Sequence, residues 1–185
     1  MKTRSYCELV TYRKNVRIIW YILQCPDENT AGWIRFCKEN ISGDVLKDAF
    51  VLSYERMKRY QGDWHLEWDN VFSGCIFLET EDMEALLKEL LQNKALFRHF
   101  QKGKGLQEVS GKAESFLQEF SGKSHQIPMS RGVIRKGTTI VTEGPLRGRE
   151  QWITRIDRHK RLAFLNLIPG TAPMKAGLEI TEKTL

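Results

Sequence analysis

The clearest absences in this 185-residue chain are membrane segments and paired cysteines. No stretch approaches the roughly 18 apolar residues of a membrane span, and Met1–Arg17 lacks the apolar core of a signal peptide. The four cysteines form no CxxC pair, which argues against a zinc site, and a chain of this size needs no disulfide framework. These cysteines are Cys7, Cys25, Cys37 and Cys75. We therefore expect a cytoplasmic protein with no metal and no cofactor.

Catalytic motifs are also missing. The histidines are scattered along the chain, at His65, His99, His125 and His159. No Ser-His-Asp or Cys-His arrangement can be assembled from them, and no phosphate-binding P-loop is present. The sequence predicts a protein that is not an enzyme and has no catalytic residues. A thiol site at Cys75 stays open as an alternative.

What the sequence does have is an uneven distribution of charge. The net charge is +6. Residues 126–185 hold 11 basic residues (Lys and Arg) but only 5 acidic ones (Asp and Glu). Residues 1–125 hold 18 basic and 18 acidic residues, so the last third carries the whole excess of positive charge. Such asymmetry predicts two units, the second of which faces a polyanion. A solvated basic face is the plainer alternative.

The first two thirds of the chain mix strand and helix signals. Apolar, β-branched runs predict strands at Arg17–Cys25, Ala49–Met57, Val71–Glu79 and, more briefly, Leu96–Phe100. Apolar residues at helical spacing predict helices at Glu28–Glu39, Met83–Gln92 and Ser110–Phe120. Asp27 and Asp82 are candidate helix caps, and Gly62-Asp63 predicts a hairpin tip. This order is typical of a small α+β unit around an antiparallel sheet.

Residues 122–129 have the composition of a short linker, and the chain beyond them is rich in β signals. Four short runs there are separated by Gly, Pro and charged residues: Thr138–Thr142, Trp152–Ile156, Leu162–Leu167 and Leu178–Thr181. About five short strands would form a small closed barrel, because closure removes the exposed edges of a sheet.

Two loops of this second unit concentrate the charge. Gly144-Pro145 and Gly148 flank a tight turn that carries Arg147 and Arg149, and glycine there permits a positive φ or a close backbone approach. A second turn, Asp157–Arg161, is strongly basic. Asp157 is expected to orient a neighbouring arginine or to close this turn.

Several of these segments resemble one known family. Ile19–Gln24 (IWYILQ) resembles the opening strand of the N-terminal domain of NusG transcription elongation factors, and Val71–Leu78 (VFSGCIFL) resembles that domain's aromatic-Pro-Gly-Tyr strand. Val141–Gly148 (VTEGPLRG) resembles the KOW motif. Ile153–Ala163 (ITRIDRHKRLA) is similar to the basic signature of the LoaP antiterminator subgroup.

The resemblance implies an organisation and a function. Residues 1–17 would be an N-terminal extension, 18–121 a NusG-type domain that binds RNA polymerase, 122–129 a linker, and 130–185 a KOW domain with an SH3-like barrel. It implies a monomeric processive antitermination factor that binds a structured hairpin in nascent leader RNA. The alternatives are a housekeeping NusG-like factor, which links polymerase to the ribosome or a termination factor, and a ribosome-associated RNA binder.

The resemblance also implies an apolar surface for the clamp helices of the largest polymerase subunit. Its residues would be Tyr21, Phe72, Gly74 and Cys75. Cys75 and Ser73 stand where the family has tyrosine and proline, and Tyr21 and Trp20 cannot both face outward, because neighbours in a strand point to opposite faces. Core packing is the plainer alternative for these side chains.

RNA binding would fall to the two basic loops, which in KOW domains lie at one end of the barrel. Arginine binds phosphate with two parallel hydrogen bonds and stacks on bases, which suits RNA better than a membrane surface. A solvated barrel end and a protein interface remain alternatives. The candidate RNA-binding residues are Arg147, Arg149, Arg155, Arg158, His159, Lys160 and Arg161.

Overall fold

The computed structural model describes residues 17–27, 29–101, 105–166 and 173–184 and shows a mixed α+β protein. The helices in these ranges are α1 (Thr30–Asn40), α2 (Met83–Leu91), α3 (Lys94–Gln101) and α4 (Gly111–Ser121). The strands are β1 (Ile19–Gln24), β2 (Leu46–Phe50), β3 (Ser53–Tyr60), β4 (Asp63–Asn70), β5 (Cys75–Thr80), β6 (Leu106–Glu108), β7 (Gln126–Ile127), β8 (Ser130–Arg135), β9 (Thr138–Glu143), β10 (Ile153–Asp157), β11 (Leu162–Leu165) and β12 (Met174–Thr184). The predicted N-terminal extension lies outside the described residues, apart from Arg17.

The first sheet has the order β2-β5-β1-β6, and all of its pairs are antiparallel. Alternation along β1 and β5 sends apolar side chains to both faces. Leu23 and Leu78 pack in the cluster that includes buried residues of α1, α2 and α3. Trp20 and Phe77 pack in a second cluster, which includes buried residues of α4. The predicted antiparallel sheet is therefore present, and it is covered on both sides.

Local signals placed three helices well, α1, α2 and α4, and missed a fourth, α3. Asp82 caps α2 as predicted, because its carboxylate accepts a hydrogen bond from the Ala85 N–H at 3.0 Å. At α1 the cap is Asn29, and Asp27 instead accepts the indole N–H of Trp33 at 2.8 Å. The strand predicted near Leu96–Phe100 was wrong, since this segment belongs to α3.

Asn93 explains why that segment is helical. Its side-chain oxygen accepts from the N–H groups of Ala95 at 2.9 Å and Leu96 at 3.2 Å, which satisfies two donors of the first helical turn. Leu96 is fully buried against the first sheet's cluster, and Phe100, four residues on, packs there too. This spacing of apolar residues fits one face of a helix.

The predicted strand Ala49–Met57 is two strands that belong to different sheets. β2 pairs with β5, whereas β3 forms a hairpin with β4. Gln61 and Gly62 close this hairpin with positive φ angles of 52° and 91°, the geometry of a two-residue turn that matches strand twist. The predicted hairpin tip is therefore confirmed, and the three-stranded sheet has the order β4-β3-β7.

The five-stranded sheet has the order β10-β11-β12-β8-β9, and it does not close into the predicted barrel. Among the residues that the structure describes, no strand pairing joins the edge strands β9 and β10. At the β9 edge the Glu150 carboxylate accepts the Val141 N–H at 3.0 Å and so occupies one backbone donor. Thr139 and Ile156 line an open cavity between the two edges.

The segment 122–129, predicted as a linker, is hydrogen-bonded to β3. After a helical turn at Gly122–Ser124, β7 runs parallel to β3. The Met129 N–H then donates to the Glu55 carboxylate at 2.7 Å. Buried residues from both larger sheets, Trp20 and Leu178 among them, belong to one apolar cluster. No helix in the described ranges is long and apolar enough to cross a membrane.

Candidate nucleic-acid interface

The turn between β10 and β11 is the most basic feature of the second half. Asp157 closes this turn, which is one of the two roles predicted for it. Its carboxylate accepts the Lys160 N–H at 3.0 Å. The side chains of Arg158, His159 and Lys160 are exposed at its tip. The turn thus presents three neighbouring donor side chains on a backbone that is held in shape. We call these three residues the basic tip.

Arg161 ends this turn and is held by two different elements. Its guanidinium lies 2.8 Å from the Glu179 carboxylate on β12, and its Cζ lies 4.0 Å from the ring centroid of Trp64 on β4. Only 23% of the Arg161 side chain is exposed. Arg161 therefore anchors the turn to β12 and to the β3–β4 hairpin.

The Gly144–Arg149 loop requires glycine at its first position. Gly144 has φ +88°, and a Cβ there would lie 2.6 Å from the Cα of Ser130. So close an approach leaves no room for the Cβ of any residue other than glycine. The Leu146 N–H donates to the Ser130 hydroxyl at 3.1 Å, which ties the loop to the start of β8. Both predicted properties of this turn, the positive φ and the close approach, are present at Gly144.

Arg147 and Arg149 differ in their surroundings. Arg147 is exposed, whereas Arg149 donates to the Pro145 carbonyl and to the Glu119 carboxylate on α4, each at 3.1 Å. Arg149 therefore ties this loop to α4.

Glu150 lies in the short helical turn that follows this loop, and its pKa is below the ordinary value. Burial works to raise the pKa of Glu150, but hydrogen bonds from backbone N–H groups, including those of Glu150 itself and Val141, outweigh it and lower that pKa. The charge of Arg147 acts in the same direction.

Arg155 lies on β10 itself. Its Cζ is 3.9 Å from the ring centroid of Phe164, its cross-strand partner on β11. The side chain is exposed, so one face of the guanidinium rests on the ring and its edge faces solvent.

The two basic loops lie on opposite edges of the sheet, and both begin level with the middle of β12, where Leu162 is paired with Gly177 and Ser130 with Leu178. A chain of ion pairs runs between them across β9, β8, β12 and β11. Its contacts are Glu143–Arg131 at 3.8 Å, Arg131–Glu179 at 3.5 Å and Glu179–Arg161 at 2.8 Å. The predicted site residues therefore do not form one uniform patch. Five are exposed, namely Arg147, Arg155, Arg158, His159 and Lys160, and two are engaged, Arg149 and Arg161.

The residues predicted to bind polymerase are not brought onto one exposed face. Tyr21 is buried at 6% exposure and faces the same side of the first sheet as its partner Leu78. Cys75, three residues from Leu78 along β5, points to the other side. Phe72 is half-buried against Phe77, with ring centroids 5.8 Å apart.

Gly74 also has a structural role. Its carbonyl accepts the Cys25 N–H at 2.7 Å, and its φ is +67°. Trp20 and Tyr21 are both buried, so neither of them faces outward.

The thiol alternative at Cys75 meets unfavourable chemistry. Burial raises the pKa of the Cys75 thiol and raises the pKa values of Cys25 and Cys37 to about 12. A protonated thiol is a poor nucleophile. Within the described ranges, no three His, Cys, Asp or Glu side chains lie close enough together to hold a metal ion.

Sequence reasoning missed the partners that hold the basic loops. Glu179 and Glu119 are distant in sequence from the arginines they bind, and nothing local marks them as partners. Trp64 could have been found, because alternation along Asp63–Asn70 puts Trp64, Leu66 and Trp68 on one face of a predicted hairpin. A scan against models of protein families and a search of curated proteins gave no match to this chain.

Proposed function

We propose that the protein is a NusG-type transcription factor of the LoaP antiterminator class. In this proposal residues 18–121 bind RNA polymerase, and the KOW-like residues 130–185 bind a structured hairpin in the nascent leader RNA. The observation that carries the RNA part is the basic tip, Arg158–Lys160, exposed on a turn that Asp157 closes and Arg161 anchors. The polymerase part is supported by the resemblance of Ile19–Gln24 and Val71–Leu78 to the family.

The shape of the basic tip suits an irregular RNA hairpin. The major groove of A-form RNA is deep and narrow, so a plain duplex offers side chains little to read. A loop or bulge opens that groove and exposes base edges. A turn of three exposed donors is narrow enough to enter such an opening, while Arg155 and Arg147 remain available for phosphate contacts.

The experiment is a titration of the full chain against a leader hairpin, a scrambled unstructured RNA and a DNA duplex of equal length. We expect the hairpin to bind most tightly. Three or four phosphate contacts predict a slope of log affinity against log salt of roughly −2 to −4. Lys160→Ala should make that slope less negative by about one unit. Arg158→Ala should lower the binding free energy for the hairpin by about 1–3 kcal/mol and reduce discrimination between the hairpin and the other nucleic acids.

Lys136→Ala is the matched control. Lys136 is exposed in the β8–β9 turn and donates its N–H to Thr184 at the C-terminal end of β12, whereas the turn with the basic tip meets β12 at Leu178, so removal of Lys136 changes net charge equally without touching the basic tip. For the Lys136→Ala variant, the slope of log affinity against log salt should equal that of the native chain. Equal affinity for all three nucleic acids at physiological salt would leave a nonspecific basic patch and favour the alternative, a housekeeping factor that recognises polymerase without a specific RNA.

A further inference from the structure

The β3–β4 hairpin has two faces of opposite character. On one face the cross-strand neighbours satisfy each other: Arg56 with Asp69 at 2.9 Å, Lys58 with Glu67 at 3.5 Å, and Tyr60 stacked on His65 with ring centroids 3.7 Å apart. These charges and rings are paired within the hairpin. That face therefore offers little to a ligand.

The other face is mostly apolar, and part of it is exposed. It carries Met57, Arg59, Trp64, Leu66 and Trp68, because these positions alternate with the paired ones. Leu66 is 55% exposed and Trp68 is 47% exposed, which is unusual for side chains of this size. We call these five residues the hairpin apolar face.

The hairpin apolar face adjoins the basic turn. Trp64 lies under the guanidinium of Arg161, the residue that ends the turn after the basic tip. Leu66 and Trp68 follow on the same face of β4, so the apolar surface extends from the Arg161–Trp64 contact toward the base of the hairpin. Trp64 and Trp68 are about 13 Å apart along β4, from the usual rise per residue of a strand.

We propose that the hairpin apolar face is a stacking surface for unpaired nucleobases of the same RNA whose phosphates contact the basic tip. This inference rests on the proposed function and adds a second binding surface to it, outside residues 130–185. Proteins that bind single-stranded nucleic acid combine cations that follow the backbone with aromatic rings on which bases stack. One face of Trp64 already carries the planar cation of Arg161, so Trp68 is the exposed indole of this surface on which a base would stack.

Charge favours RNA over a protein as the occupant. Arg59 lies on the face itself, and the exposed Arg158 and Lys160 belong to the turn whose last residue, Arg161, covers Trp64. Of the nearby acids, Glu67 and Asp69 point to the opposite face in ion pairs, and Glu55, on this face, accepts the Met129 N–H at 2.7 Å. A polyanion with exposed bases therefore meets both apolar rings and uncompensated cations, whereas an apolar peptide would use only the rings.

The test compares two RNAs with the full-length protein: a hairpin with an unpaired loop and a blunt duplex with the same stem. Trp68→Ala should weaken binding of the looped RNA by at least about fivefold, the lower end expected for one lost stacking contact. It should leave duplex binding unchanged, and Trp68→Phe should restore most of the loss. Tyr60→Ala, on the opposite face, is the matched control and should change neither affinity.

Lys160→Ala separates this inference from the proposed function. It should weaken binding of both RNAs. Suppose that Lys160→Ala weakens binding of both RNAs, whereas Trp68→Ala and Leu66→Ala leave the affinity for the looped RNA unchanged. The stacking surface is then refuted while the proposed function stands. If neither RNA binds the native chain, the proposed function fails and the inference with it. If Trp68→Ala abolishes co-purification with RNA polymerase but leaves both RNA affinities intact, the face binds protein and our assignment of RNA is overturned.

Discussion

The four-stranded and five-stranded sheets cover their apolar residues in different ways. The first sheet has helices on both faces, with residues of α1, α2 and α3 in one cluster and residues of α4 in the other. The second sheet has no α-helix between its strands in the described ranges, and its buried residues share a cluster with the first. Its turns carry the excess positive charge of the chain.

This contrast shows where charged side chains can be placed with little loss of packing. Aromatic residues of the first sheet, such as Trp20 and Phe77, are buried, and each is fixed by several neighbours. Arg158 and Lys160 lie in a turn, where a change of side chain disturbs little packing. The first sheet is therefore the more closely packed support, and the second presents the exposed basic residues.

The largest expected effect comes from removing one leucine at the centre of each sheet. Leu23 on β1 and Leu178 on β12 are both fully buried. Either change to alanine should lower the free energy of unfolding by about 2–5 kcal/mol. Because residues of both sheets share one cluster, we expect a single unfolding transition that each change shifts, measured by urea denaturation with circular dichroism and tryptophan fluorescence.

Leu66→Ala serves as the control for this comparison. Leu66 is 55% exposed, so its loss should change stability by less than about 0.5 kcal/mol. Two separate transitions, each shifted by only one of the core substitutions, would show that the two sheets unfold independently.

A smaller difference in stability is expected between alanine substitutions at the two glycines that flank β9. Both have positive φ angles, +88° at Gly144 and +79° at Gly137. Gly144→Ala should cost roughly 2–4 kcal/mol, because backbone strain adds to overlap with Ser130. Gly137→Ala meets nothing within 4 Å and should cost only about 1–2 kcal/mol of strain. Thermal unfolding of both variants measures the difference, and equal losses would mean that the Ser130 contact is unimportant.

The smallest effect concerns acid stability where the two halves meet. His125 stacks on Phe50 with ring centroids 3.5 Å apart, and burial lowers the pKa of His125 from 6.5. The carboxylates of Glu79 and Asp48 oppose this shift, and Lys38 adds to it. The unfolded chain therefore binds this proton more readily than the folded one, so stability should fall as pH drops from 6.5 toward the lowered pKa.

Melting temperatures at pH 7.5 and 5.5 test this expectation. His125→Gln, which cannot titrate, should lose less stability than the native chain over that range. Burial raises the pKa of Glu114, so its protonation stabilises the fold on acidification and acts in the opposite direction. An equal loss in the variant and the native chain would assign the acid sensitivity to other groups.

Sequence patterns predicted those features that depend on neighbours along the chain. The Asp82 cap, α4 and the hairpin tip at Gly62 each follow from residues within one or two turns. Asp157 closing its turn is a feature of the same kind. The helix α3 was missed because Asn93, its capping residue, lies before the apolar run that suggested a strand.

Features that depend on distant residues could not be predicted from the sequence. At the open edge of the five-stranded sheet the Val141 N–H donates to Glu150, a contact that no periodicity indicates. The engagement of Arg161 by Glu179 and Trp64 brings together three strands. Composition identified the basic residues, but only the fold distinguishes the engaged arginines from the exposed ones.

The position of β12 has a consequence for how the chain acquires its fold. It is the last of its five strands along the sequence, yet it lies in the middle of the sheet, antiparallel to β11 and parallel to β8. During synthesis the β8–β9 and β10–β11 hairpins emerge first, and isolated hairpins are marginally stable. Until Met174–Thr184 leaves the ribosome, two strand edges stay open to wrong partners. A nascent chain stalled before Met174 should therefore need chaperone protection that a chain containing Met174–Thr184 does not.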